Sequence, residues 1–127
     1  MTDKQHAFFE KARRALATAQ INLNHGDVEA AINRAYYAAF YAAMAALLCV
    51  GETPKTHTGT LQRFRLHFIK TGRLPLSLGD VLTYAFNARQ RADYEAFAIF
   101  DETAVADLIT DIEAFVRAVE EMLEAAA

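Results

Sequence analysis

Residues 35–50 carry no charge, and that run constrains the fold of this chain more than any other feature. Crossing a bilayer takes about 20 apolar residues. This run is shorter, holds seven alanines and begins with Tyr36, Tyr37 and Tyr41. A buried helix fits it better than a membrane span, and no membrane association is expected. One apolar stripe follows Val28, Ile32, Ala35, Ala39, Ala42 and Ala46, and a second follows Tyr37, Tyr41, Met44 and Leu48. A helix that is apolar around most of its circumference is buried on several sides. A bundle of this size has limited capacity to cover such a helix, so a second subunit is expected over part of it.

The flanking segments keep the same period. Thr2-x-x-Gln5 has the form of a capping box, and Phe9, Ala12, Leu16, Ala19 and Leu23 follow at steps of three and four before Gly26. This predicts a first helix over about residues 3–24. Asp27 can cap a second helix that runs through Val50 to Gly51. GETPKTHTG reads as a loop. Leu61, Phe64 and Phe68 stripe a third helix ending at Gly72, and Ser77-x-x-Asp80 restarts a fourth with Leu78, Val81, Leu82 and Ala85. Asp101 opens the last helix, striped by Val105, Leu108, Ile112, Phe115, Val119 and Met122. No window alternates with period two. The expectation is an all-α antiparallel bundle of four to five helices, as one domain over residues 1–127.

The length of 127 residues supports a core without staples, and 54% hydrophobic residues exclude disorder. The one cysteine, Cys49, excludes a disulfide framework and suits a reducing, cytoplasmic setting. It reads as a small core residue. Thirteen basic residues against sixteen acidic ones give a net charge of −3, so any nucleic-acid site must be a local patch. One such run exists: Lys55, His57, Arg63, Arg65, His67, Lys70 and Arg73 face only Glu52 nearby. It fits either RNA contact or a solvated helix face.

Arg34 enters the most apolar helix, where a lone guanidinium is costly to desolvate. It therefore either pairs with a carboxylate, Asp93 being the preferred partner, or faces a cleft. Arg34 and Tyr41 lie seven residues apart on one helix face, about 10 Å along the axis, leaving room for a phosphate between them. His57 sits in a loop beside Lys55 and two threonines, and histidine is the usual acid–base residue. His6 and His25 read as solvated. His67 has no partner four residues on, so neither a metal site nor a cofactor is expected.

Asn33-Arg34-Ala35-Tyr36-Tyr37-Ala38-Ala39-Phe40-Tyr41-Ala42-Ala43 resembles the signature helix of the HEPN superfamily (higher eukaryotes and prokaryotes nucleotide-binding), in its small stand-alone prokaryotic form. Lys55-Thr56-His57-Thr58-Gly59 and Arg89-x-x-x-Asp93-Tyr94 extend the resemblance. It implies a helical bundle that dimerises around this helix and binds RNA or a nucleotide. Many members are metal-independent endoribonucleases with an R-x(4–6)-H motif, or toxins paired with a minimal nucleotidyltransferase in a toxin–antitoxin-like system. Arg34 matches the motif arginine, and Tyr41 stands where the histidine falls. Tyrosine, with a pKa of ~10, is a poor base at neutral pH. The resemblance thus leaves two functions open. One is a binding module, with Lys55, Arg63 and Arg89 as nucleic-acid contacts. The other is a ribonuclease using Arg34 with His57 or Tyr41. A purely structural bundle is the third reading.

Overall fold

The structure is a computed structural model in which residues 1–126 are described. Five α-helices follow in order: α1 (Asp3–Asn24), α2 (Val28–Leu48), α3 (His57–Phe64), α4 (Leu76–Tyr94) and α5 (Glu102–Ala125). There is no strand among the described residues. The fold is all-α, as the periodicity requires.

The caps act where the sequence places them. The Thr2 hydroxyl accepts from the Gln5 backbone N–H at 3.2 Å, and Gln5 Oε1 accepts from the Thr2 N–H at 2.9 Å. Gln5 also donates from Nε2 to the Ala45 carbonyl of α2 at 3.0 Å, tying the two helices where Gln5 is buried. Gly26 turns the chain between α1 and α2 at φ +77°, which an L side chain rarely adopts. The two helices then pack as a hairpin through alanines: Ala12, Ala15 and Ala19 on α1, and Ala31, Ala35, Ala38 and Ala42 on α2, are buried.

α2 is the axle of the bundle, packed by α1, α3, α4 and α5. Its first stripe is buried through Ala46 apart from half-buried Val28, whereas the second stripe of Tyr37, Tyr41, Met44 and Leu48 is only half-buried. One chain therefore covers the first stripe alone, and cover by a second subunit is not needed there. α5 closes the other side with Val105, Leu108, Ile112, Phe115 and Val119.

Three local expectations change. The third helix does not run unbroken to Gly72; after α3 the chain makes a π-helical turn over Arg65–Ile69. That turn carries Arg65 to α4, where it donates to the Gly79 carbonyl at 2.8 Å and the Thr83 hydroxyl at 2.6 Å. α4 begins at Leu76 after Pro75 rather than at a Ser77 cap, because Pro75 holds the extended backbone that a helix start requires. Cys49 is exposed, since it lies past the last turn of α2 and not within its buried run.

Phe115 packs on Phe64 at 5.5 Å between ring centroids and is fully buried. Phe115→Ala should cost about 3–5 kcal/mol in urea unfolding without changing helix content at low denaturant.

Candidate functional site

Three elements, α2, α3 and α4, meet around Tyr36, Tyr37 and Phe40 of α2. Thr56 caps α3, its hydroxyl accepting from the Gly59 N–H at 2.9 Å. A Cβ at Gly59 would lie 2.8 Å from that hydroxyl, so glycine keeps the cap intact. The cap fixes His57 in the first turn of α3, where its ring stacks on Phe40 at 4.3 Å and 23°. From α2, the Tyr36 hydroxyl lies 2.6 Å from His57 Nδ1. From α4, the Arg89 guanidinium lies over the Tyr36 ring at 5.0 Å and within 5.9 Å of the Tyr37 and Phe86 rings.

The protonation of this cluster follows from burial. Tyr36 is fully buried, and desolvation pushes its hydroxyl above the ordinary phenol range. The group is therefore a phenol with a proton to donate, and a buried donor needs an acceptor. His57 Nδ1 is the acceptor within reach. Burial, and next the positive charge of Arg89, hold His57 below the usual imidazole range. A neutral imidazole that accepts at Nδ1 carries its proton on Nε2. In this form His57 offers a hydrogen-bond donor and not a free basic nitrogen.

Two guanidinium groups share Tyr37. Arg34 lies over its ring at 4.9 Å, and Arg89 donates to its hydroxyl at 3.4 Å. The expected Arg34–Asp93 ion pair does not form. Asp93 sits four residues after Arg89 on α4 and pairs with it at 3.7 Å. Arg34 instead donates from Nη2 and Nε to the Asn33 carboxamide at 3.0 and 3.2 Å. Arg34 and Asp93 still face one shallow surface depression, with Thr18 and Asn22 of α1 on its rim. The Arg89 side chain is 12% exposed, and its buried Nε has no hydrogen-bond partner among the described residues.

The segment Arg89-x-x-x-Asp93-Tyr94 thus supplies the central cation, beside the helix that carries Arg34 and the capped first turn of α3 that carries His57. A HEPN domain family model matches residues 5–122. The chain belongs to the HEPN domain family. A UPF0332 protein of Thermotoga maritima is 36% identical to this HEPN chain over 114 residues, covering 90% of this chain and 86% of the relative. Two proteins of Methanocaldococcus jannaschii, each named a putative toxin, are also similar. One is 33% identical over 93% of this chain and 87% of its own length. The other is 39% identical over 68% of this chain and 59% of its own length.

The remaining anticipated positions fall in other surroundings in this HEPN domain. Tyr41 does not look across an open gap at Arg34, because the Tyr37 ring stands between them, 6.0 Å from Tyr41. Tyr41 turns to α1, stacked with Phe8 at 6.4 Å and with Lys11 Nζ 5.4 Å from its ring. Lys55 and Arg63 line a separate depression around residues 51–63. There Glu52 accepts from Arg63 at 2.6 Å and also pairs with His67. Arg63's hydrogen bond holds Glu52 below the usual carboxylate range. Arg65 has Asp80 at 3.6 Å. Within the basic run Arg63 and Arg65 are thus paired, whereas Lys55, Lys70 and Arg73 have no carboxylate partner among the described residues. Tyr37, read in the sequence as part of an apolar stripe, holds Arg34 and Arg89 near its ring, and Phe40, given no role of its own there, stacks on His57.

The lowered pKa of His57 has a checkable sign. Below the ordinary imidazole value of ~6.5 the unfolded chain takes up a proton that the folded chain refuses. Stability from this group is therefore complete above that pH and is lost progressively as pH falls below it and through the lower folded-state value. His57→Gln should flatten that slope in thermal melts. By NMR, Arg89→Gln should raise the His57 midpoint part of the way towards ~6.5, since burial persists.

Proposed function

We propose that this chain is the toxin-type HEPN module of a toxin–antitoxin-like system, and that it binds RNA phosphates without cleaving them. The observation that carries the reading is the pair of guanidinium groups on Tyr37. Arg34 and Arg89 are both held within 6 Å of one ring, with Asp93 as the one carboxylate ion-paired there among the described residues. Like charges so placed repel, and an anion relieves them. Arginine's planar fork suits phosphate oxygens, and the neighbouring tyrosine gives a face on which a base can stack. His57 would add an Nε2–H donor to such an anion.

The same geometry argues against cleavage. Metal-independent scission of RNA needs a base for the 2′-hydroxyl proton. His57 Nδ1 is occupied by Tyr36, and Tyr41 packs on α1. The putative-toxin names of two relatives support the toxin-type assignment. A minimal nucleotidyltransferase is the protein partner that this reading calls for.

Fluorescence anisotropy with a labelled, unstructured RNA tests it. Arg34→Gln and Arg89→Gln should each weaken binding by about tenfold and lower the salt slope by about one. Tyr41→Phe should change neither. Equal binding by wild type and both variants would sink the proposal. RNA cleavage in EDTA that disappears in His57→Ala would replace it with the endoribonuclease.

A further inference from the structure

Two residues on from Arg89, and so about 200° around α4, Arg91 turns towards the start of α5. A cavity of about 100 Å³ lies between the two helices there. Its floor is apolar: Ile32 of α2, Ala88 of α4, and Val105 and Leu108 of α5 are all buried. Phe100, two residues before α5, forms one wall, and the Arg91 guanidinium stands 5.0 Å from its ring.

The rim is polar, and its groups are little used within the chain. Arg91 donates from Nε to Glu95 at 3.4 Å, a long contact between two exposed side chains, and its terminal nitrogens have no hydrogen-bond partner among the described residues. Asp101 stands at the N-cap of α5, yet its carboxylate makes no capping bond. Asn87 adds a carboxamide. An apolar hollow with a few polar groups converging on its mouth is the make-up of a small-molecule site. The hollow sets the size of what fits. A dry cavity of ~150 Å³ holds a benzene, so a phenyl ring is too large here and a branched aliphatic group suits. The rim sets the charge. A cation and a carboxylate at one mouth match a molecule with an anion and a cation beside its apolar group. An internal residue of a peptide brings neither charge and a chain terminus brings one. A free α-amino acid brings both.

We propose that this cavity binds a free branched-chain α-amino acid, its side chain on the apolar floor, its carboxylate on Arg91 and its ammonium on Asp101. The planar guanidinium suits a carboxylate, and the Phe100 ring keeps it at the mouth. Asn87 offers the ligand a further hydrogen bond. Arg89, by contrast, faces α2 from the other side of the same helix. The amino-acid site is therefore separate from the guanidinium pair on Tyr37, and the assignment does not depend on what that pair binds.

Titrating the isotope-labelled chain with L-leucine, read by amide chemical shifts, tests this. Saturable shifts centred on Ala88, Ala104 and Leu108 are expected, with a Kd of about 1 mM or below. L-Alanine underfills the hollow and L-phenylalanine overfills it, so each should bind at least about tenfold more weakly. N-Acetyl-L-leucine keeps only the carboxylate and L-leucinamide only the ammonium; each should also lose about tenfold. Asp101→Asn should weaken L-leucine and L-leucinamide but not N-acetyl-L-leucine. Arg91→Gln should weaken L-leucine and N-acetyl-L-leucine but not L-leucinamide. Both side chains are exposed, so both variants should melt as the wild type does. No saturable shift up to about 20 mM L-leucine would overturn the proposal. Equal binding of L-leucine, N-acetyl-L-leucine and L-leucinamide would overturn it too, by showing an apolar cavity without charge recognition.

Discussion

The close approach of α1 to α2 sets the terms for the rest of the molecule. It depends on small side chains: Ala12, Ala15 and Ala19 meet an α2 surface in which Ala31, Ala35, Ala38 and Ala42 have no exposure. Alanine buries little area per residue, so this seam contributes contact density rather than large apolar volumes. The volume comes instead from the far side, where Phe64 packs both on Phe68 and on Phe115 of α5. With α2 held between these layers, its aromatic residues at 36, 37 and 40 are left along the one edge reached by α3 and α4. The site is a product of that division.

Electrostatics at this edge is arranged by aromatic rings more than by ion pairs. Arg34 spends its charge on a ring face and the Asn33 carboxamide, and Arg89 on ring faces, the Tyr37 hydroxyl and one long ion pair with Asp93. On α3, Arg63 is instead held by Glu52 at 2.6 Å. Net charge hides this difference. A chain at −3 still holds two neighbouring guanidinium groups, because its acidic side chains are concentrated elsewhere, notably on α5.

Much of the fold is legible in the sequence, because its signals are local. The Thr2–Gln5 box, Gly26, Asp27 and Gly51 mark helix ends within a residue or two, and the 3.6-residue stripes identify the buried faces. The family resemblance rests on segments that do lie together in space. Partner choice is less legible. Asp93 reads in the sequence as the partner of Arg34, 59 residues away, yet it pairs with Arg89, four residues away; the rotation of α4 against α2 decides, and no single segment encodes it. The bond from Tyr36 to His57 likewise spans 21 residues and depends on the Thr56 cap. The π-helical turn at Arg65 is invisible to a period count, because it changes the register by one residue only.

The Tyr36 phenol places this protein at a particular distance from a different chemistry. A single oxygen atom ties down the imidazole nitrogen that would otherwise be open to accept a proton. Phenylalanine fits the same buried space, and the codons of tyrosine and phenylalanine differ at one base. Tyr36→Phe would therefore keep every packing contact of this core and remove the one partner that Nδ1 has among the described residues. What it would cost is a buried acceptor left unmet, about 1–3 kcal/mol. One oxygen atom thus matters here for what it satisfies and not for the space it fills.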